Sequence, residues 1–176
     1  MSTSSDWEKQ FTQIFNHAVE KYRKGHTKAS GLFEAKEVEF LKSIGATEQE
    51  IFDFVEDHSG NPEDPSLDMI LKVTAVRRDY FLNEQKGKHS SHLVSVDQLP
   101  AKDSSVEGIG WLPRIIPKAE AKLRGEMPPE LMYGCGGDRN FFRTNNVDAA
   151  EFLKKVWSAK GDKAAVIEWV KTKKSS

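Results

Sequence analysis

Apolar residues recur every three to four positions along most of the chain, and runs that alternate apolar with polar are nearly absent. That periodicity dictates amphipathic helices and leaves little from which to build a sheet. Trp7, Phe11, Ile14, Phe15, Ala18 and Tyr22 form the first apolar stripe, and Ser5-Asp6-Trp7-Glu8 reads as a capping box that opens it. Gly25 and the polar residues to Ser30 end that helix. A second helix is predicted from Ala35 to Ile44, stopped by Gly45, and Thr47-Glu48-Gln49-Glu50 caps a third through Ile51, Phe52, Phe54 and Val55. Ser66 caps a longer helix from Leu67 to about Gln85, with Arg77 and Arg78 near its end, where cations complement the helix dipole. Leu93-Val94-Ser95-Val96 has the composition of a short strand but no partner strand. Near the C-terminus, Asp148 caps a helix through Phe152, Leu153, Val156 and Trp157, and Asp162 opens the last one through Val166, Ile167, Trp169 and Val170. The expected fold is all-α, with about seven or eight short helices in packed hairpins.

The expected organisation is an N-terminal helical region over residues 1–85, a linker-like segment over 86–107, and a second helical region over 108–170 packed on the first. Phe40-Leu41-Lys42 with Ile51-Phe52-Asp53-Phe54-Val55 weakly echoes Phe152-Leu153-Lys154 with Val166-Ile167-Glu168-Trp169-Val170. Such an echo fits a duplicated hairpin, and two unrelated amphipathic hairpins can also share it by chance.

Charge narrows the partners. The net charge is −1, but residues 1–100 hold 12 Lys+Arg against 17 Asp+Glu, while residues 101–176 hold 14 against 10. A moderately basic half favours an anionic small molecule or an acidic protein surface, and it is far from the dense field of a nucleic-acid binder. No apolar run reaches the ~18 residues of a membrane span. The opening MSTSSDWEKQ lacks a basic then apolar leader, and the single cysteine fits a reducing compartment, so a cytoplasmic address is expected.

The segment from Trp111 to Arg143 carries more than helix-forming residues. It holds four of the seven prolines and the only cysteine. Arg114, Lys118 and Lys122 are spaced i, i+4, i+8 and form one cationic stripe on a helix, with Ile116, Ala119 and Leu123 on roughly the opposite, core-facing side. Pro113 suits a first helical position, whereas Pro117 either kinks the helix or delays its regular part to Lys118. A solvated stripe implies that Lys118→Glu with Lys122→Glu leaves the melting temperature nearly unchanged.

Tyr133-Gly134-Cys135-Gly136-Gly137-Asp138-Arg139 follows. Three glycines around a cysteine let the backbone turn tightly and bring N–H groups close to a ligand or the thiol. Gly134 and Gly136 are the positions expected to be close-packed or left-handed, and Asp138 is expected to cap a helix starting at Arg139. A thiol just before a helix N-terminus and near cations is a candidate nucleophile. The same residues equally suit a buried apolar cysteine in a glycine turn. No Gly-Lys-Ser/Thr follows, so the loop is not a phosphate-binding P-loop. His17, His26, His58, His89 and His92 all lie upstream and reach Cys135 only through folding. His89-Ser90-Ser91-His92 has a spacing found among metal ligands but lacks further ligands nearby, so neither a metal nor a cofactor is expected.

Leu112-Pro113-Arg114, Lys118-Ala119, Ala121-Lys122-Leu123, Gly125, Cys135 and Asp138, followed by a helical hairpin, resemble the recurring pattern of a mostly bacterial family of small helical domains of unknown function. The likeness covers about Gly108 to Val170. Ser43–Asp57 and Val76–Leu82 look like the N-terminal extension of its longer members. Pro117 departs from the pattern, where an ordinary helix former is expected. The resemblance implies a helical fold and transfers no activity.

Two functions follow, of which the first leads because it needs fewer special conditions. One is a binding or adaptor domain that captures an anion or acidic partner with Arg114, Lys118, Lys122, Tyr133, Gly134, Gly136, Gly137, Asp138 and Arg139. The other is a small enzyme with Cys135 as a nucleophilic or redox thiol on an anionic substrate.

Overall fold

A computed structural model describes residues 4–176 of the chain. The fold is all-α, with eight α-helices among the described residues: α1 (Ser4–Arg23), α2 (Ala35–Ser43), α3 (Glu48–Gly60), α4 (Leu67–Asn83), α5 (Leu112–Arg124), α6 (Gly136–Thr144), α7 (Ala149–Ala159) and α8 (Lys163–Lys174). The chain divides into two compact units, residues 1–78 and 79–176, with the division inside α4. No helix among the described residues is long and apolar enough to cross a membrane.

In the first unit, α1 packs against α3. The stripe predicted for α1 is buried from Trp7 to Ala18, and Phe11 stacks on Phe15 at 6.1 Å between ring centroids. The capping expected of the Ser5 side chain lies outside the described residues; the α1 helix already includes Ser5. The box at α3 is present, with Glu50 N–H donating to Thr47 Oγ1 at 3.1 Å and Thr47 N–H to the Glu50 carboxylate. Ser66 Oγ accepts from Met69 N–H at the start of α4. Arg77 corrects its sequence reading. It does not serve the helix end but is buried, and its Nε donates to the Gly45 carbonyl at 2.9 Å. Gly45 takes the left-handed conformation at the α2–α3 turn (φ 78°), so the guanidinium secures that turn. Arg78 stacks over the Trp7 ring at 5.2 Å instead of facing the dipole.

Asp53 on α3 gives this unit a pH signature. Partial burial pushes its carboxyl up to about 6; the Gln49 amide, donating at 2.9 Å, opposes this, and the charges of Glu56, Asp57 and Glu50 add to it. The folded state therefore holds the proton more tightly than the unfolded chain, and stability is lost as pH rises from about 4 through 6. Because the side chain is half in solvent, the cost at neutral pH is discounted to about 1 kcal/mol. Asp53→Asn is expected to raise the melting temperature at pH 7 and to change it little at pH 4. Thermal melts at the two values check this, and a loss of stability at pH 7 would contradict it.

In the second unit, α5 packs on α7 and α8, and α7 on α8. Phe141, Phe142 and Phe152 form an aromatic cluster, with centroid separations of 5.7–6.0 Å, among buried Leu112, Ile115, Leu153 and Val166. Leu93–Val96 forms no strand. A 3-10 turn at Val96–Gln98 occupies its end, and the only strands among the described residues are β1 (Ser105–Val106) and β2 (Ile109–Gly110), an antiparallel pair. That small hairpin was not foreseen, because two-residue strands leave no period to read.

The α5 helix runs without interruption through both prolines, so Arg114 stays on the stripe with Lys118 and Lys122. Pro113 lies within the first turn. The N–H that Pro117 lacks would have bonded to the carbonyl of Pro113, so the loss falls at the helix start, where it costs least. The expectation that the stripe faces solvent is wrong. Arg114, Lys118 and Lys122 are 8%, 2% and 3% exposed, while Ile116, Ala119 and Leu123 are buried as well. A helix enclosed on nearly every side carries its cations inside only where their heads find partners.

Candidate functional site

The N-terminus of α6 organises the site. The glycines delay the expected helix start to Arg139, yet α6 begins at Gly136, with Cys135 as its N-cap. Glycine is a poor interior helix residue, but in a first turn it forfeits little. Asp138 is thus not the cap. It is the third residue of the helix, and its carboxylate turns back toward the preceding loop. One oxygen accepts from the Trp111 indole Nε1 at 2.8 Å, the other from Gly134 N–H at 2.8 Å and from the Lys118 ammonium at 2.7 Å. The Asp138 side chain is fully buried and that of Lys118 is 3% exposed, so this is an ion pair withdrawn from water.

The same ammonium donates to Cys135 Sγ at 3.3 Å. Cys135 as a residue is half-buried, while the charge beside its thiol is held inside. The histidines with described partners are engaged elsewhere: His17 with Glu37, His58 with the Pro65 carbonyl, and His89 against Phe81. No group of three or more potential metal ligands gathers among the described residues.

The glycines divide the work differently from the sequence expectation. Gly134 is left-handed (φ 90°), as expected. Gly136 has open space before it and an ordinary φ, contrary to expectation, and the tight position is Gly137. A Cβ there would lie 2.5 Å from Trp111 Cζ2, so only a glycine lets the indole lie against the first turn of α6. Trp111 itself is left-handed (φ 72°) as the N-cap of α5. For a bulky residue that conformation is costly, and it persists because Asp138 and Gly137 fix the ring. Trp111 is therefore part of the site. Its aromatic type gave no sign of this, and only the contact across 27 residues reveals it.

The remaining candidates serve the loop or leave the cluster. Arg139 donates to the Gly134 carbonyl at 2.8 Å and so closes the turn before Cys135. Tyr133 is buried and donates to the Ala149 carbonyl at 2.8 Å; burial first, then the charges of Asp138 and Asp148, push its phenol well above its usual range. Arg114 donates to the Pro100 carbonyl at 2.9 Å, away from the thiol. Lys122 lies one turn beyond Lys118, buried and engaged within the fold.

Fold and site together define a small helical domain with one cysteine seated between a helix N-terminus and a buried lysine–aspartate pair. Residues 98–176 match the family model described as "Domain of unknown function (DUF5069)". No curated protein matches the chain, and no solved structure does.

Proposed function

We propose that Cys135 is the nucleophile of a small enzyme that acts on an anionic substrate. The observation that carries this reading is the Lys118 ammonium, which reaches Cys135 Sγ at 3.3 Å while its charge is anchored on Asp138 at 2.7 Å. In the step we envisage, a bond forms from Sγ to an electrophilic carbon. The electron pair displaced from that carbon moves onto its oxygen or leaving atom, and the thiol proton passes to solvent. The ammonium beside Sγ, with the first-turn N–H groups of α6 that have no partner within the helix, would stabilise the new negative charge. The positive balance of residues 101–176 favours a substrate bearing a carboxylate or phosphate. An unpaired thiol suits a reducing compartment such as the cytoplasm. A binding domain that works only by surface cations is the weaker reading, because the α5 cations are buried and Lys118 is already paired.

Two alkylating agents of equal size test the claim. Iodoacetate is expected to modify Cys135 in the folded chain with a rate, relative to iodoacetamide, roughly tenfold above the same ratio in the urea-unfolded chain. Mass spectrometry gives both ratios, and Cys135→Ser must abolish labelling. A folded ratio at or below the unfolded one would count against an anionic substrate.

A further inference from the structure

The contact between Lys118 and Cys135 joins two groups that can bond to each other. Its use below shares with the proposed function only the need for a reachable thiol. Lys118 Nζ lies 3.3 Å from Cys135 Sγ. The lysine is not free to swing away, because its side chain is 3% exposed and its ammonium is anchored on the Asp138 carboxylate at 2.7 Å. The nitrogen is therefore held against the sulfur at an effective concentration far above that of any amine in solution.

The rest of the chain offers an oxidised sulfur no thiol partner. Cys135 is the only cysteine, so a sulfenic acid formed there cannot close a disulfide within the chain. Its remaining fates are condensation with a nitrogen, or further and irreversible oxidation. Lys118 supplies that nitrogen at contact distance. The backbone beside the thiol can yield as the two atoms close the gap: Gly134 is left-handed, and Gly136 has open space before it. Cys135 is also only half-buried, and a peroxide is a small oxidant.

We infer that Lys118 and Cys135 form a reversible covalent cross-link when the protein meets hydrogen peroxide. In the first step the O–O bond breaks and an S–O bond forms. The sulfur gives up two electrons and becomes a sulfenic acid, and the peroxide is reduced to water. In the second step Lys118 passes one proton to Asp138 and its nitrogen bonds to Sγ. The S–O bond breaks, and the hydroxyl leaves as water with a second proton from the nitrogen. The product is a sulfenamide, two hydrogens lighter than the reduced chain. Two molecules of an external thiol reverse it, becoming a disulfide and restoring the thiol and the amine. While linked, Sγ is no longer a nucleophile and the Lys118 charge is gone, so peroxide switches the site off and spares the sulfur from irreversible oxidation.

The folded full chain, treated with a small excess of hydrogen peroxide and digested at glutamate, tests this by mass spectrometry. Cleavage there puts Lys118 and Cys135 on different peptides. The two peptides should appear joined, two hydrogens lighter than the separate pair, and dithiothreitol should release both. In urea the linked fraction should fall at least tenfold, because the fold supplies the contact; this arm needs no variant. Lys118→Arg, checked for folding by circular dichroism, should form no cross-link and should carry Cys135 on to sulfinic acid. In the wild type, a sulfinic acid, a bond from Sγ to the Gly136 nitrogen, or a sulfur left reduced, each beside an unmodified Lys118, would overturn the inference. So would equal linkage in urea. Iodoacetate labelling of the same folded chain separates the two readings. Ready alkylation without a cross-link removes this inference and leaves the nucleophile standing. A cross-link with a folded alkylation ratio at or below the unfolded one supports it and removes the anionic substrate alone.

Discussion

Lys118→Met is expected to destabilise the fold by about 3–5 kcal/mol, because it leaves the Asp138 carboxylate buried without its counter-charge. Methionine matches the length of the lysine stem, so packing changes little and the loss reports the stranded charge. Denaturant titration measures it. Adding Asp138→Asn should restore only part of the loss. An amide offers a single acceptor oxygen, and Trp111 Nε1 and Gly134 N–H approach different carboxylate oxygens. A solvated stripe requires the opposite result, an unchanged melting temperature even for Lys118→Glu with Lys122→Glu. Those charge reversals are now expected to unfold much of the population at ambient temperature. A change below about 0.5 kcal/mol for Lys118→Met would place the lysine head in water and remove the basis of the site.

Gly137→Ala should cost about 1–3 kcal/mol although it adds one methyl group. The methyl would fall 2.5 Å from Trp111 Cζ2 and 2.7 Å from Cη2, inside any permissible contact. The indole must then move, and with it goes the hydrogen bond to Asp138 and the support for a left-handed Trp111. Gly136→Ala, one residue earlier, meets open space and should be nearly neutral. The contrast between two adjacent glycines is readable from paired thermal melts. Equal costs would mean that helix propensity, not the indole contact, sets the effect.

Much of the fold was legible because it follows from local rules. Thr47 with Glu50, Ser66, Asp148 and Asp162 cap helices where hydroxyl or carboxylate precedes an apolar stripe. The site was legible only as a list of residues. Cys135, Lys118, Asp138, Gly134 and Arg139 do come together, but the stripe was turned inside out. A helical period says which residues share a face, not whether that face meets water. What decided it was Asp138, twenty residues away in sequence from Lys118, and no periodicity carries such pairings. Arg77 misled for the same reason: its position on α4 suggested the helix end, while its partner is the carbonyl of Gly45. Asp138 was misplaced as a cap because the sequence rule weighs Asp above Cys at that position, yet its carboxylate was needed by Trp111 and Lys118.

In the function we propose, the fold prepares the Cys135 thiol rather than shelters it. The rate of alkylation by iodoacetamide at pH 7 tests this most directly, since the chain has one cysteine and every labelled molecule reports it. The folded wild type is expected to react faster than the same chain unfolded in urea, and Lys118→Arg, which keeps a charge but not the ammonium geometry, should lose most of that advantage. A folded chain that reacts more slowly than the unfolded one would make Cys135 a packing residue and contradict the account.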